Sequence, residues 1–133
     1  MNQAAGACKV VRPGDEYRGK QGLAYRAGLT AETCGSRAIS MTVAILPPGA
    51  KAKTHLHRGI ETAIYVMDGE AEMWFGPELG NQLVVRAGEY LYIPADMPHR
   101  VENRSASDCT ALIAHTAPDD QAGIVLLPEL DAR

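Results

Sequence analysis

His55 and His57 stand one residue apart in the stretch T-H-L-H-R-G-I-E, and Glu61 follows closely behind them. On an extended strand alternate side chains share a face, so the two imidazoles point the same way and Leu56 points the other. Imidazole is the commonest protein ligand for metals. A bound ion needs at least three converging donors, with nitrogens about 2.0 to 2.1 Å from it in the case of zinc. The pair supplies two of them. Taken alone, the same spacing also fits two partly exposed histidines on a polar strand with no ion between them.

A second cluster lies further along, in A-G-E-Y-L-Y-I-P-A-D-M-P-H-R-V-E-N. Gly88 is followed after five residues by Pro94, then by Asp96, then by His99 after two more and Asn103 after another three. With Gly49, five residues, His55-x-His57, this resembles the two signature motifs of the cupin superfamily, G-x5-H-x-H-x3/4-E-x6-G and G-x5-P-x-G-x2-H-x3-N. The motifs cover residues 49–69 and 88–103, with residues 70–87 between them. The resemblance implies an all-β jelly-roll barrel (a double-stranded β-helix). Inside it the histidines of both motifs and the glutamate of the first converge on a divalent metal. Carried over position by position, His55, His57 and His99 match.

The glutamate leaves two alternatives. Counting forward from His57, Glu61 falls at an allowed spacing. Counting back six residues from Gly69 lands on Thr62 instead, because seven residues separate Glu61 from Gly69. A shift of one residue along a strand sends a side chain to the opposite face. Either a bulge after Glu61 brings its carboxylate to the metal, or Thr62 sits beside a three-histidine site with positions open for water or substrate. Asp96 stands where the motif has glycine; Asp tolerates turn conformations, so a turn residue in solvent is expected there. His115 is expected in the core or behind the ligands rather than on the ion.

The elements that must carry these residues read as strands. "AISMTVAIL" alternates Met41, Val43 and Ile45 with Ser40, Thr42 and Ala44, then stops at Pro47-Pro48-Gly49. "TAIYVM" and "EAEMWF" flank Asp68-Gly69, which reads as a hairpin turn. "QLVVR", "YLYIP", "HRVEN" and "CTALIAHT" follow, separated by turn residues. The glycine-spotted first thirty residues are expected to add one or two strands. "GIVLLPEL" is expected to add another, confined to an edge or ended by Pro128.

One domain spanning residues 1–133 is expected from the length. A hydrophobic fraction of 46% with 22% charged residues excludes disorder and a membrane span. A net charge of −3 without any basic run excludes nucleic acid as a partner. Three scattered cysteines suggest neither a disulfide framework nor a structural zinc site. No secretory signal pattern is present, so a cytoplasmic protein is expected. Asn103-Arg104-Ser105 matches a glycosylation tripeptide but stands without other signs of secretion. Arg26, Arg37, Lys51 and Lys53 are read as solvated charges rather than contacts to an anionic substrate. The aromatic residues are read mainly as core and interface.

The chemistry, then, is the metal. The motifs point to a divalent ion (Zn, Fe, Mn or Ni) acting as a Lewis acid or oxygen-activating centre on a small organic molecule, as in an isomerase, dioxygenase or decarboxylase. A non-enzymatic binding or sensing protein and a purely structural metal are the alternatives, since the fold hosts all three. A homodimer is expected, because the family's small members commonly pair and open sheet edges favour pairing.

Overall fold

The computed structural model describes residues 6–132. Eleven short strands form in chain order: β1 (Glu16–Arg18), β2 (Ala24–Leu29), β3 (Ser40–Leu46), β4 (His55–His57), β5 (Thr62–Asp68), β6 (Glu70–Phe75), β7 (Asn81–Arg86), β8 (Tyr90–Ile93), β9 (His99–Glu102), β10 (Cys109–His115) and β11 (Ile124–Leu126). They build two antiparallel sheets, of order β1-β2-β3-β10-β5-β8 and β11-β4-β9-β6-β7. This is the expected jelly roll, with the terminal strands β1, β2 and β11 extending the sheets. The core lies between the sheets and is filled by Leu23, Leu46, Val66, Met73, Leu91 and Ile93 among others. One helical turn, α1 (Ala31–Cys34), escapes the strand-only reading; its start is fixed by Thr30, whose side chain accepts from the Thr33 N–H.

Strand β3 turns its smaller face inward. Ser40, Thr42, Ala44 and Leu46 are buried, while Met41, Val43 and Ile45 look outward. Small inward residues leave room in the barrel that a Leu or Ile face would fill.

The hairpin expected at Asp68-Gly69 does not form. Strand β5 pairs with β10 and β8 in one sheet, and β6 pairs with β7 and β9 in the other, so Asp68-Gly69 is a corner between sheets. Gly69 makes the corner possible: its φ is 80°, and an added Cβ would lie 2.2 Å from the Asp108 carbonyl oxygen. The pairing of β5 with β10 skips Met67, since Thr110 faces Asp68 and Ala111 faces Val66. The bulge that absorbs the first motif's additional residue is therefore at Met67, at the corner end of the strand, and not after Glu61. From Thr62 to Val66 the alternation runs undisturbed.

The C-terminal strand β11 is the edge expected from Pro128, and a 3-10 turn at Pro128–Leu130 follows it. Beneath this segment Arg100 is buried and bonded to Glu102 at 2.9 Å and to the Leu130 and Asp131 carbonyls. With its donors satisfied, the pair can be carried inside without an orphaned charge. Asn103 is fully buried. Its amide donates to the Leu46 and Ser107 carbonyls, and its oxygen accepts from Ser105. It closes the second motif as a structural clasp and leaves no free amide for a glycan. No helix among the described residues is long and apolar enough to cross a membrane.

Gly69→Ala is expected to cost more than about 2 kcal/mol in urea denaturation, because a positive φ and a backbone collision coincide there. Gly88→Ala, at φ 88° with nothing within 4 Å of an added Cβ, is expected to cost about 1 kcal/mol from backbone strain alone.

Candidate metal centre

The site is built by one antiparallel pair. His55 on β4 and His99 on β9 are direct cross-strand partners, and His57 lies two residues further along β4 on the same face. All three rings are buried, and one ligand atom from each lies within 4.8 Å of the others. The ring centroids of His55 and His99 are 4.3 Å apart, those of His55 and His57 5.1 Å, and those of His57 and His99 5.7 Å.

Backbone carbonyls orient two of the rings. His55 Nδ1 lies 2.7 Å from the Lys53 carbonyl oxygen, and His99 Nδ1 lies 2.9 Å from that of Met97. A carbonyl only accepts, so each Nδ1 carries the proton and each Nε2 keeps a lone pair. That is the tautomer a metal-ligating histidine uses. His57 Nδ1 is buried, and the ring has only a weak backbone contact, to Ala122. The donor set therefore fits a borderline divalent ion: three neutral imidazoles, two of them locked with a free Nε2.

Burial keeps the rings neutral. It pushes His57 down to about 3, with His55 and His115 adding repulsion, and it holds His55 and His99 below the ordinary imidazole value.

The two motifs are tied together at this end of the barrel. The Asp96 N–H donates to the His57 carbonyl, and Asp96 Oδ1 accepts from the Gly59 N–H at 2.9 Å. Asp96 takes a left-handed φ of 65° in the turn, the conformation for which the motif has glycine. It is exposed, as expected of a turn residue, yet its carboxylate also pins the loop that follows the histidine pair.

Glu61 is not with the histidines. Its side chain is exposed on the outside of the sheet, where it accepts from the Tyr92 hydroxyl and raises that phenol's pKa. The reason is register: with the bulge placed at Met67, Thr62, Ile64 and Val66 line the interior, and parity sends Glu61 outward. Thr62 takes the inward place. Its Oγ1 lies 3.0 Å from His115 Nδ1, and His115, paired with Thr62 across β5 and β10, has its ring centroid 4.7 Å from that of His57. His115 thus belongs to the cavity wall. The signal for it was the alternation Cys109, Ala111, Ile113, His115, which only the sheet register could assign to the inside.

Beyond the histidines the barrel holds a cavity of about 70 Å³, lined mostly by apolar side chains with Gln21, Thr62, His115 and Asp120 among them. Asp120 is bonded to the Tyr17 hydroxyl and to Gln121. Arg26, Arg37, Lys51 and Lys53 are all exposed and none lines the cavity, in keeping with solvated charges.

The pKa directions set a pH dependence. The folded values lie below 6.5, so between the folded values and 6.5 the unfolded chain binds more protons than the folded one, and stability rises with pH. Metal-stripped protein should therefore keep its full thermal midpoint above about pH 7 and lose it progressively as the pH falls through 6.5. Thermal melts from pH 8 to pH 5 read this directly. A midpoint flat across that range contradicts buried neutral histidines.

Residues 42–115 match the family model of the cupin domain. Polyketide synthase CurC of Streptomyces cyaneus is 32% identical over 99 residues, which are 74% of this chain and 62% of that protein. Protein SchB of Streptomyces halstedii is likewise 32% identical over 99 residues, 74% of this chain and 69% of SchB. Among solved structures, a recombinant oxalate oxidase in complex with glycolate superposes with a TM-score of 0.70 at 23% identity, over 95% of this chain and 65% of that one. The chain thus spans somewhat less than two thirds of both CurC and the oxalate oxidase. The matched segment opens on β3, closes on β10 and contains all three converging histidines, and with the likeness to SchB it shows that the chain belongs to the cupin family.

Proposed function

We propose that the chain is a metal-dependent enzyme in which His55, His57 and His99 hold a divalent ion through their imidazole nitrogens and a small organic molecule binds beside it. The observation that carries this reading is the absence of a carboxylate as fourth ligand. Thr62, not Glu61, faces inward, so among the described residues the converging donor set is three neutral imidazoles with no carboxylate in it, and Asp120 stands in the cavity wall outside that set. A purely structural site is coordinatively closed, whereas three protein ligands with exchangeable positions are the arrangement of catalytic metals. Zn, Mn, Fe and Ni all accept imidazole.

When bound, such an ion supplies Lewis-acid polarisation or oxygen activation. The chain's own residues supply the rest. The Lys53 and Met97 carbonyls hold the ligand tautomers, and the apolar walls exclude water. His115, kept neutral by burial and held at Nδ1 by Thr62, is the group placed to accept or return a proton at the cavity wall. A homodimer accords with the exposed Met41, Met67, Tyr90 and Tyr92 on the outer face of the six-stranded sheet, which a monomer leaves in water.

Protein purified without added metal and then loaded with Zn, Mn, Fe or Ni tests the site. His57→Ala should weaken metal retention by at least about 100-fold, while Glu61→Gln should leave metal content within about twofold of the parent. Retention unchanged in H57A, or lost in E61Q, sinks the assignment. Turnover that vanishes on chelation and returns with the ion separates an enzyme from a binding protein.

A further inference from the structure

The inner cavity does not end at the histidines. A second space of about 220 Å³ adjoins it, lined by Phe75, Leu83, Tyr92, Pro94 and Met97 and sharing Met73, Leu91, Ile93 and His99 with the inner cavity. The topology explains its position. β7 and β8 are the end strands of the two sheets, joined to each other through residues 87–89, and they are not paired along the rest of their length. The gap between these edges opens the barrel wall near His99.

Leu83 marks the rim. It shares the inward face of β7 with Val85, which lines the inner cavity, yet 44% of Leu83 is exposed. An inward-facing leucine left in contact with water is an apolar surface without a protein partner.

Neither space is lined by Lys or Arg among the described residues. Asp120 is the one carboxylate, and its Oδ2 accepts from the Tyr17 hydroxyl and the Gln121 amide. On the inner side the space exists because Ala44, Ala71 and Ala111 face it from three strands. The alanine-lined walls favour apolar groups in this part of the cavity. The inner cavity has room for only a few non-hydrogen atoms, so a guest of any size must extend outward past His99 into the groove.

From this lining we propose that the ligand is a predominantly hydrophobic molecule with one oxygen donor: the donor sits at the three histidines, and the apolar body lies in the groove between β7 and β8 against Phe75, Leu83 and Met97. This rests on the metal-site reading above and adds the class of ligand. A small dicarboxylate such as oxalate reaches the ion but leaves the groove unfilled and gains nothing from it.

The test compares phenol, 1-naphthol and oxalate as probes, by calorimetry on metal-loaded and metal-stripped full-length protein. 1-Naphthol carries the same hydroxyl as phenol on a larger apolar body, and it should bind at least about tenfold tighter, as burial of its second ring implies. Leu83→Glu should erase that increment. Leu83→Gln, of similar size and without charge, should reduce it and leave oxalate affinity unchanged. Leu83 lies on the rim of an edge strand, and unchanged metal content and thermal midpoint in both variants confirm an intact fold.

An increment below about twofold, or one that persists in both Leu83 variants, overturns the inference. The two readings fail separately. Protein that retains no ion but keeps a Leu83-dependent increment sinks the metal site and leaves the groove assignment. Protein that retains the ion without any increment does the reverse.

Discussion

Three imidazoles within reach of one ion repel one another once protonated, and burial removes the water that would otherwise stabilise their charges. The arrangement at His55, His57 and His99 is therefore sustainable only while the rings stay neutral, and much of the surrounding structure serves that condition. The Lys53 and Met97 carbonyls take the Nδ1 protons of two rings. The same neutrality leaves a ring nitrogen of each histidine unprotonated, with one such atom from each within 4.8 Å of the others, as a shared ion would require.

Holding the rings in that geometry requires the β4–β9 pair to stay in register, and the supports lie on both sides of it. Asp96 ties the turn before His99 to the loop after His57. At the other end β11 covers the edge of β4, and the segment after it places Asp131 on the Thr54 N–H and its own carbonyls over Arg100. The buried Arg100–Glu102 pair lies on strand β9 itself, so the covering segment and the histidine strand are joined by charge-assisted bonds. His99 faces inward and Arg100 outward along one strand.

The interior combines a polar end with apolar walls. Small residues from β3, β6 and β10 leave the space, and the corner at Gly69 lets the chain pass from one sheet to the other so that β5 and β6 can wall it from opposite sides. In such surroundings a bound ion is the dominant charge, and its interactions with a ligand are stronger than in water. Selectivity would then come from apolar shape rather than from cationic side chains.

Much of this was legible in the sequence, because it rests on spacing. The two-residue period of a strand puts His55 and His57 on one face, and the turn residues between short apolar runs mark nearly every strand. The spacing around Pro94 and His99 linked the second half of the site to the first. What the sequence left open were matters of register. Whether Glu61 or Thr62 faces the interior turns on where one additional residue is absorbed, and only pairing with β10 places it at Met67. Asp68-Gly69 reads locally as a hairpin, and only the close approach of Asp108 makes it a corner. His115 becomes part of the cavity wall because β10 lies beside β5 and brings it to Thr62. Local chemistry determined which residues could bind an ion. Long-range strand pairing decided which of them face it, since a shift of one residue reverses a side chain without changing a letter of the motif.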